Sequence, residues 1–152
     1  MRLFIIATCV VILDQISKYF VTVFMQTGQS IALIRDFLHI TYVLNPGAAF
    51  GMLPYQTLFF VIITLLVICF IIYYHRTLGD GRNLLKVALA LQLGGAIGNL
   101  IDRIIRNGYV VDFIDFKIWP PVFNVADSAL VIGIVLFIFA FWRDPELRNE
   151  RS

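Results

Sequence analysis

The residues in this chain that are equipped for chemistry are mostly acidic, and they recur at helical spacing. Asp14, Ser17 and Lys18 stand at i, i+3 and i+4, so they share one helix face. Asn99, Asp102 and Arg103 repeat that spacing, and Asn124 and Asp127 lie three apart. Asp112 and Asp115 fall between the last two groups. Two carboxylates at close range cannot both ionise, so they share one proton. One then takes a proton from water while the other protonates or polarises a carbonyl, which is the method of an aspartic protease. Asp112 with Asp127 is one such pair and Asp112 with Asp115 another; spacing does not choose between them. Other chemistries lack their residues. There is no HExxH, no GxSxG and no Walker loop. Ser128 adjoins Asp127, but neighbours along a helix do not face each other, and no His is near. His39 and His75 are far apart and neither has a second His at ligand spacing, so no metal site is expected.

Composition sets the elements that must carry these residues. Of 152 residues, 60% are hydrophobic and 14% charged, with a mean hydropathy of +0.87. A soluble domain holds about 45–50% apolar and about 25% charged residues. A chain this small leaves much of its surface exposed, so its solvent must be lipid. The 14 Phe, 6 Tyr and 2 Trp agree, since Tyr and Trp favour membrane interfaces. Hydrophobicity excludes disorder, and two cysteines exclude a disulfide scaffold. A net charge of +2 without any Lys/Arg run gives no reason to expect nucleic acid.

Four stretches reach the roughly 20 apolar residues a span requires. They run over about 3–25, 58–74, 84–104 and 122–142, leaving loops 26–57 and 105–121. The expected fold is an all-α membrane protein, one membrane-embedded domain over 1–152. The apolar run before Cys9, Leu3 to Ala7, is too short for a secretory leader, so the first stretch is expected to be a retained span. Pro120-Pro121 marks the start of the fourth. Gly94, Gly95 and Gly98 suit close helix packing. Cys9 and Cys69 lie in apolar stretches and read as small buried hydrophobes. Phe37 to Leu44 is rich in β-branched and aromatic residues and ends in the turn Asn45-Pro46-Gly47, which predicts a small sheet or hairpin on the membrane surface. From Gly47 to Gly51 the small residues permit close approach of another chain.

Basic residues set the orientation. Arg2, Arg76, Arg82, Lys86, Arg143, Arg148 and Arg151 flank one side; only Arg35, Arg106 and Lys117 flank the other. That places both termini in the cytoplasm. Asn99 to Arg103, Asp112, Asn124 and Asp127 then converge at the outer leaflet, and Lys18 lies about 6 Å farther out than Asp14. Each group has a simpler reading. Asp14 with Lys18 makes an ion pair that lets its helix insert, and Asp102 or Asp112 with Arg103 makes another. Asn124 is an N-cap, and Asp115 and Lys117 are solvated. Convergence of three spans and a loop is what points to a site. A small proton-coupled transporter with Asp14 as its ion site is the competing reading. It requires acids near mid-membrane and access from both sides, and the cytoplasmic halves of spans two, three and four hold no acid. A purely structural subunit leaves the convergence unexplained.

Five blocks, in order and on the expected spans, resemble the bacterial lipoprotein signal peptidase (signal peptidase II) family. They are Leu13-Asp14-Gln15-Ile16-Ser17-Lys18, Asn45-Pro46-Gly47-Ala48-Ala49-Phe50-Gly51, Gly94-Gly95-Ala96-Ile97-Gly98-Asn99-Leu100-Ile101-Asp102-Arg103, Val110-Val111-Asp112-Phe113-Ile114-Asp115 and Phe123-Asn124-Val125-Ala126-Asp127-Ser128. The resemblance covers nearly the whole chain and departs at no motif position. It implies a four-helix aspartic endopeptidase of the inner membrane with a small β-cradle on its outer surface, acting as a monomer. The implied substrate is a diacylglyceryl-modified prolipoprotein, cut just before its lipidated Cys. Membrane lipid surrounds it, and globomycin-type cyclic peptides inhibit it. Carried onto this chain, the catalytic pair is Asp112 and Asp127. Asp14, Lys18, Asn45, Gly47, Asn99, Asp102, Arg103 and Asn124 support the site or hold substrate. No cofactor and no metal is implied.

Overall fold

A computed structural model describes residues 2–47, 55–79 and 81–143. The small-residue segment 48–51 lies outside them, as do Arg148 and Arg151 from the charge count. Four helices run over Arg2–Phe24 (α1), Thr57–Thr77 (α2), Asn83–Ile105 (α3) and Val125–Arg143 (α4). Each is long and apolar enough to cross a membrane. In lipid the backbone must satisfy its own hydrogen bonds, and a helix does so within one segment.

Helix α3 is the axis of the bundle and packs against the other three. Its small residues allow this. A Cβ added at Gly94 would stand 2.7 Å from Val10 Cβ, and one at Gly95 would collide with the Ala126 carbonyl oxygen. Neighbouring backbones therefore approach as close as glycine permits. Helix α2 is the opposite case. It is apolar from Leu58 to Tyr74 apart from Thr64, and buries only Ile71 among its described residues. Phe4, Phe20, Leu66, Phe70 and Val131 face outward across the bundle, as lipid solvation requires. Cys9 and Cys69 also lie on that exterior rather than in the core. A thiol loses nothing by facing hydrocarbon, so inference of burial from an apolar stretch fails in lipid.

One end of the bundle is covered by a three-stranded antiparallel sheet, β1 (Ser30–Ile34), β2 (Leu38–Asn45) and β3 (Val110–Phe116), in that order. The hairpin matches the sequence expectation. The third strand does not: Val110–Phe116 comes from the other loop and pairs along β2, with Val43 opposite Asp112 and Asn45 opposite Val110. Strand β3 thus fastens the two loops together above the helices. The fourth helix begins at Val125 rather than near Val122. Phe123 instead pairs with Ile114, extending the sheet edge, and Pro120-Pro121 belongs to the connection before the helix.

Candidate active site

Five elements deliver polar side chains to the sheet end of the bundle, the end of β2 bringing Asn45. Helix α1 brings Asp14 and Lys18, α3 brings Asn99 and Asp102, β3 brings Asp112, and the start of α4 brings Asn124 and Asp127. Asp14, Lys18, Asp102 and Asn124 are wholly buried, and Asp112 is 2% exposed. Burial without partners would be costly, and the bonds account for nearly every group.

Asn124 is the hinge of the arrangement. Its Oδ1 accepts the Asp127 backbone N–H (2.9 Å), while its own N–H donates to Asp127 Oδ2 (3.3 Å). This is a reciprocal N-cap of α4, with an Asp in the place usually held by Glu or Gln. Its Nδ2 points the other way and donates to Asp112 Oδ1 (2.7 Å). One side chain thus both caps α4 and bonds Asp112. Asn99 Nδ2 donates to Asp127 Oδ1 (2.6 Å), and Asn45 Nδ2 donates to Asp112 Oδ2 (2.9 Å). Asp112 and Asp127 therefore each accept amide hydrogen bonds on both oxygens.

Both aspartates line one cleft of about 870 Å³, together with Asn45, Gly47, Asn99 and Arg103. Apart from Ser128 its remaining wall is apolar, with Phe116, Ile118, Trp119, Val122, Val131 and Ile132 among its residues. Burial pushes the Asp112 carboxyl up to about 7, and the Asp127 charge adds to it. Hydrogen bonds from Asn45 and Asn124 and the Lys18 charge oppose that rise without cancelling it. A group that holds a proton near neutrality beside a second carboxylate suits acid–base work on a carbonyl.

The pairing of Asp112 with Asp115 is excluded by strand geometry. An offset of three residues puts them on opposite faces of β3. Asp115 bonds Thr41 Oγ1 (2.6 Å) and Lys117 instead. Burial acts upward on Asp115, but the hydrogen bonds from Lys117 and Thr41 outweigh it and hold this carboxyl below its ordinary range. It is 6% exposed, so it is a buried sheet fastener rather than a solvated loop residue. Arg103 also departs from expectation. No ion pair joins it to Asp102 or Asp112 among the described residues. Its guanidinium lies 5.0 Å over the Phe60 ring and donates to the Gly47 carbonyl (3.3 Å). Asp102 is occupied by Lys18 (3.1 Å) and Arg106 (3.5 Å). Gln15 had no role assigned from sequence, yet its Nε2 lies within bonding distance of Asp14 Oδ2, Asp102 Oδ1 and the Gly98 carbonyl. Its presence as an amide inside an apolar span was the available signal.

The fold and this polar cleft define a multi-pass membrane enzyme. A solved bacterial membrane enzyme superposes with a TM-score of 0.87 at 40% identity, over 99% of this chain and 93% of that one. A sequence model of the family described as signal peptidase (SPase) II matches residues 6–143. The lipoprotein signal peptidase of Halothermothrix orenii is 49% identical over 95% of this chain and 97% of its own length. That of Moorella thermoacetica is 50% identical over 90% and 89%. The chain belongs to the signal peptidase II family, the lipoprotein signal peptidases. That membership fits a peptidase and not the proton-coupled transporter.

Proposed function

We propose that this signal peptidase II works as an aspartic endopeptidase on diacylglyceryl-modified prolipoproteins, with Asp112 and Asp127 as its catalytic pair. The observation that carries this is two carboxylates on one cleft wall, Asp112 buried and Asp127 half-buried, each held by asparagine amides. Asp112 holds the proton and Asp127 carries the charge. A water between them gives a proton to Asp127, and its oxygen attacks the carbonyl carbon just before the lipidated Cys. Asp112 passes its proton to the carbonyl oxygen, giving a neutral tetrahedral intermediate. As the C–N bond breaks, the amine leaves with the proton held on Asp127, and the new carboxyl returns a proton to Asp112. The chemistry needs two carboxylates and a water, with no metal or cofactor.

The other site residues serve substrate and geometry. Asn99 and Asn124 orient the two carboxylates, and Asn45 and Arg103 hold the extended peptide at the cleft wall. The apolar side of the cleft receives the signal helix and acyl chains. The chain sits as a monomer in the bacterial inner membrane with both termini cytoplasmic and the sheet at the outer leaflet. A lipid-modified signal peptide presents its cleavage bond at that depth. Globomycin-type cyclic peptides occupy the same cleft and block the aspartates. The test is cleavage of a diacylglyceryl-modified prolipoprotein by purified protein in lipid. Asp112→Asn and Asp127→Asn should each lower the rate by about 1,000-fold or more while helix content is retained. Full activity in either variant sinks the assignment.

A further inference from the structure

Behind the two candidate catalytic aspartates, away from the cleft, lies a second set of buried charges. Lys18 is wholly buried, and its three ammonium protons match three acceptors: Asp14 Oδ2 (2.8 Å), Asp102 Oδ2 (3.1 Å) and Asn99 Oδ1 (3.0 Å). The free oxygen of Asp14 accepts the backbone N–H of Ala126 (2.9 Å), the residue directly before Asp127. Asp102 Oδ2 accepts the backbone N–H of Val111 (2.9 Å), the residue directly before Asp112. Each supporting carboxylate thus holds the chain one residue ahead of a catalytic one, and Lys18 ties the two carboxylates together. Its third bond helps fix the Asn99 amide: Lys18 and Asn124 Nδ2 (3.1 Å) both donate to Oδ1, which leaves Nδ2 turned toward Asp127. Gly98 leaves the room: a Cβ there would stand 2.7 Å from Asp14 Oδ2.

We propose that Lys18 is a positioning residue, which through Asp14, Asp102 and Asn99 sets where Asp112 and Asp127 stand relative to each other. A pair that served only to let α1 insert would have no need of anchors beside both aspartates. Neither Lys18, Asp14 nor Asp102 lines the cleft, so the effect falls on the chemical step and not on substrate binding. The inference rests on Asp112 and Asp127 being the catalytic pair.

The test measures cleavage kinetics of Lys18→Met and of the charge-balanced Asp14→Asn/Lys18→Met in lipid, with Asp112→Asn and Asp127→Asn as controls. The double variant removes one charge of each sign, so it leaves no unpaired buried carboxylate at position 14 and keeps the question answerable if Lys18→Met does not fold. The expectation is a kcat about 100-fold lower with KM within about threefold of wild type, the size of effect a 1 Å misplacement produces. The pH profile adds a readout that folding alone would not move. The charges acting on Asp112 are Asp127 from α4, Lys18 from α1 and Arg103 from α3. Removing the Lys18 cation alone should shift the alkaline limb of kcat to higher pH. A folded variant with kcat within threefold of wild type and an unmoved limb overturns the proposal. So does a variant that changes only thermal stability. If the two Asp→Asn controls stay active, it is the catalytic assignment that has failed.

Discussion

Toward the chain termini, Leu3, Ala7, Ile71, Leu85, Leu89 and Leu93 pack into an apolar core. At the sheet end, the same α1 and α3 instead contribute Asp14, Lys18, Asn99 and Asp102, equally buried. The first region is held by shape. Dispersion contacts are numerous, weak and non-directional, so several packings have similar energies. The second is held by bonds that each have a named donor and acceptor. In lipid there is little hydrophobic drive for one helix to find another. Shape brings the helices together, and the directional bonds decide their register at the site.

That contrast makes separate predictions for the two ends. The largest effect is the loss of cleavage in Asp112→Asn and Asp127→Asn, with the apolar core untouched. Next comes Gly95→Ala, whose methyl would collide with the Ala126 carbonyl oxygen on α4. Ala126 immediately precedes Asp127, so activity should fall at least tenfold, and stability should fall by about 1–3 kcal/mol. Leu89→Ala in the apolar core should cost a comparable amount of thermal stability while kcat stays within threefold. If Leu89→Ala lowers kcat as much as Gly95→Ala does, the two ends are not separable.

The pH dependence comes next. Asp112 has its carboxyl raised from 3.8 to about 7 in the fold. Its contribution to stability is therefore full below 3.8 and is lost as pH rises through about 7. Asp112→Asn, which has no charge to bury, should be more stable than wild type at pH 8.5 by about 1–3 kcal/mol. Thermal melts at several pH values should show that advantage shrinking toward pH 5. A constant difference across the range would mean that Asp112 does not titrate there. Wild-type cleavage should show its alkaline limb near pH 7 for the same reason. The smallest effect belongs to the exterior. Leu66→Ala, on the outward face of α2, should change stability by less than about 0.5 kcal/mol and activity not measurably.

The sequence alone decided the solvent, the existence of four spans and the short roll of polar residues, because each follows from composition and local period. Asp14 and Lys18 are legible as a pair because i and i+4 meet on any helix. The hairpin strand Leu38–Asn45 is legible from its residue types. Beyond these, contacts between distant segments take over. Nothing local says that Val110–Phe116 pairs with β2, that Asp112 faces away from Asp115's partners, or that Lys18 chooses Asp102 over Arg103's expected claim on it. Asn124 reads from sequence as either a cap or a site residue, and only the placement of β3 against the start of α4 lets one side chain cap the helix and bond Asp112. Those outcomes depend on which backbones come close enough for a single hydrogen bond, and that distance is set by glycines on α3 whose neighbours lie on other helices. Local period fixes which residues share a face; only packing fixes which faces meet.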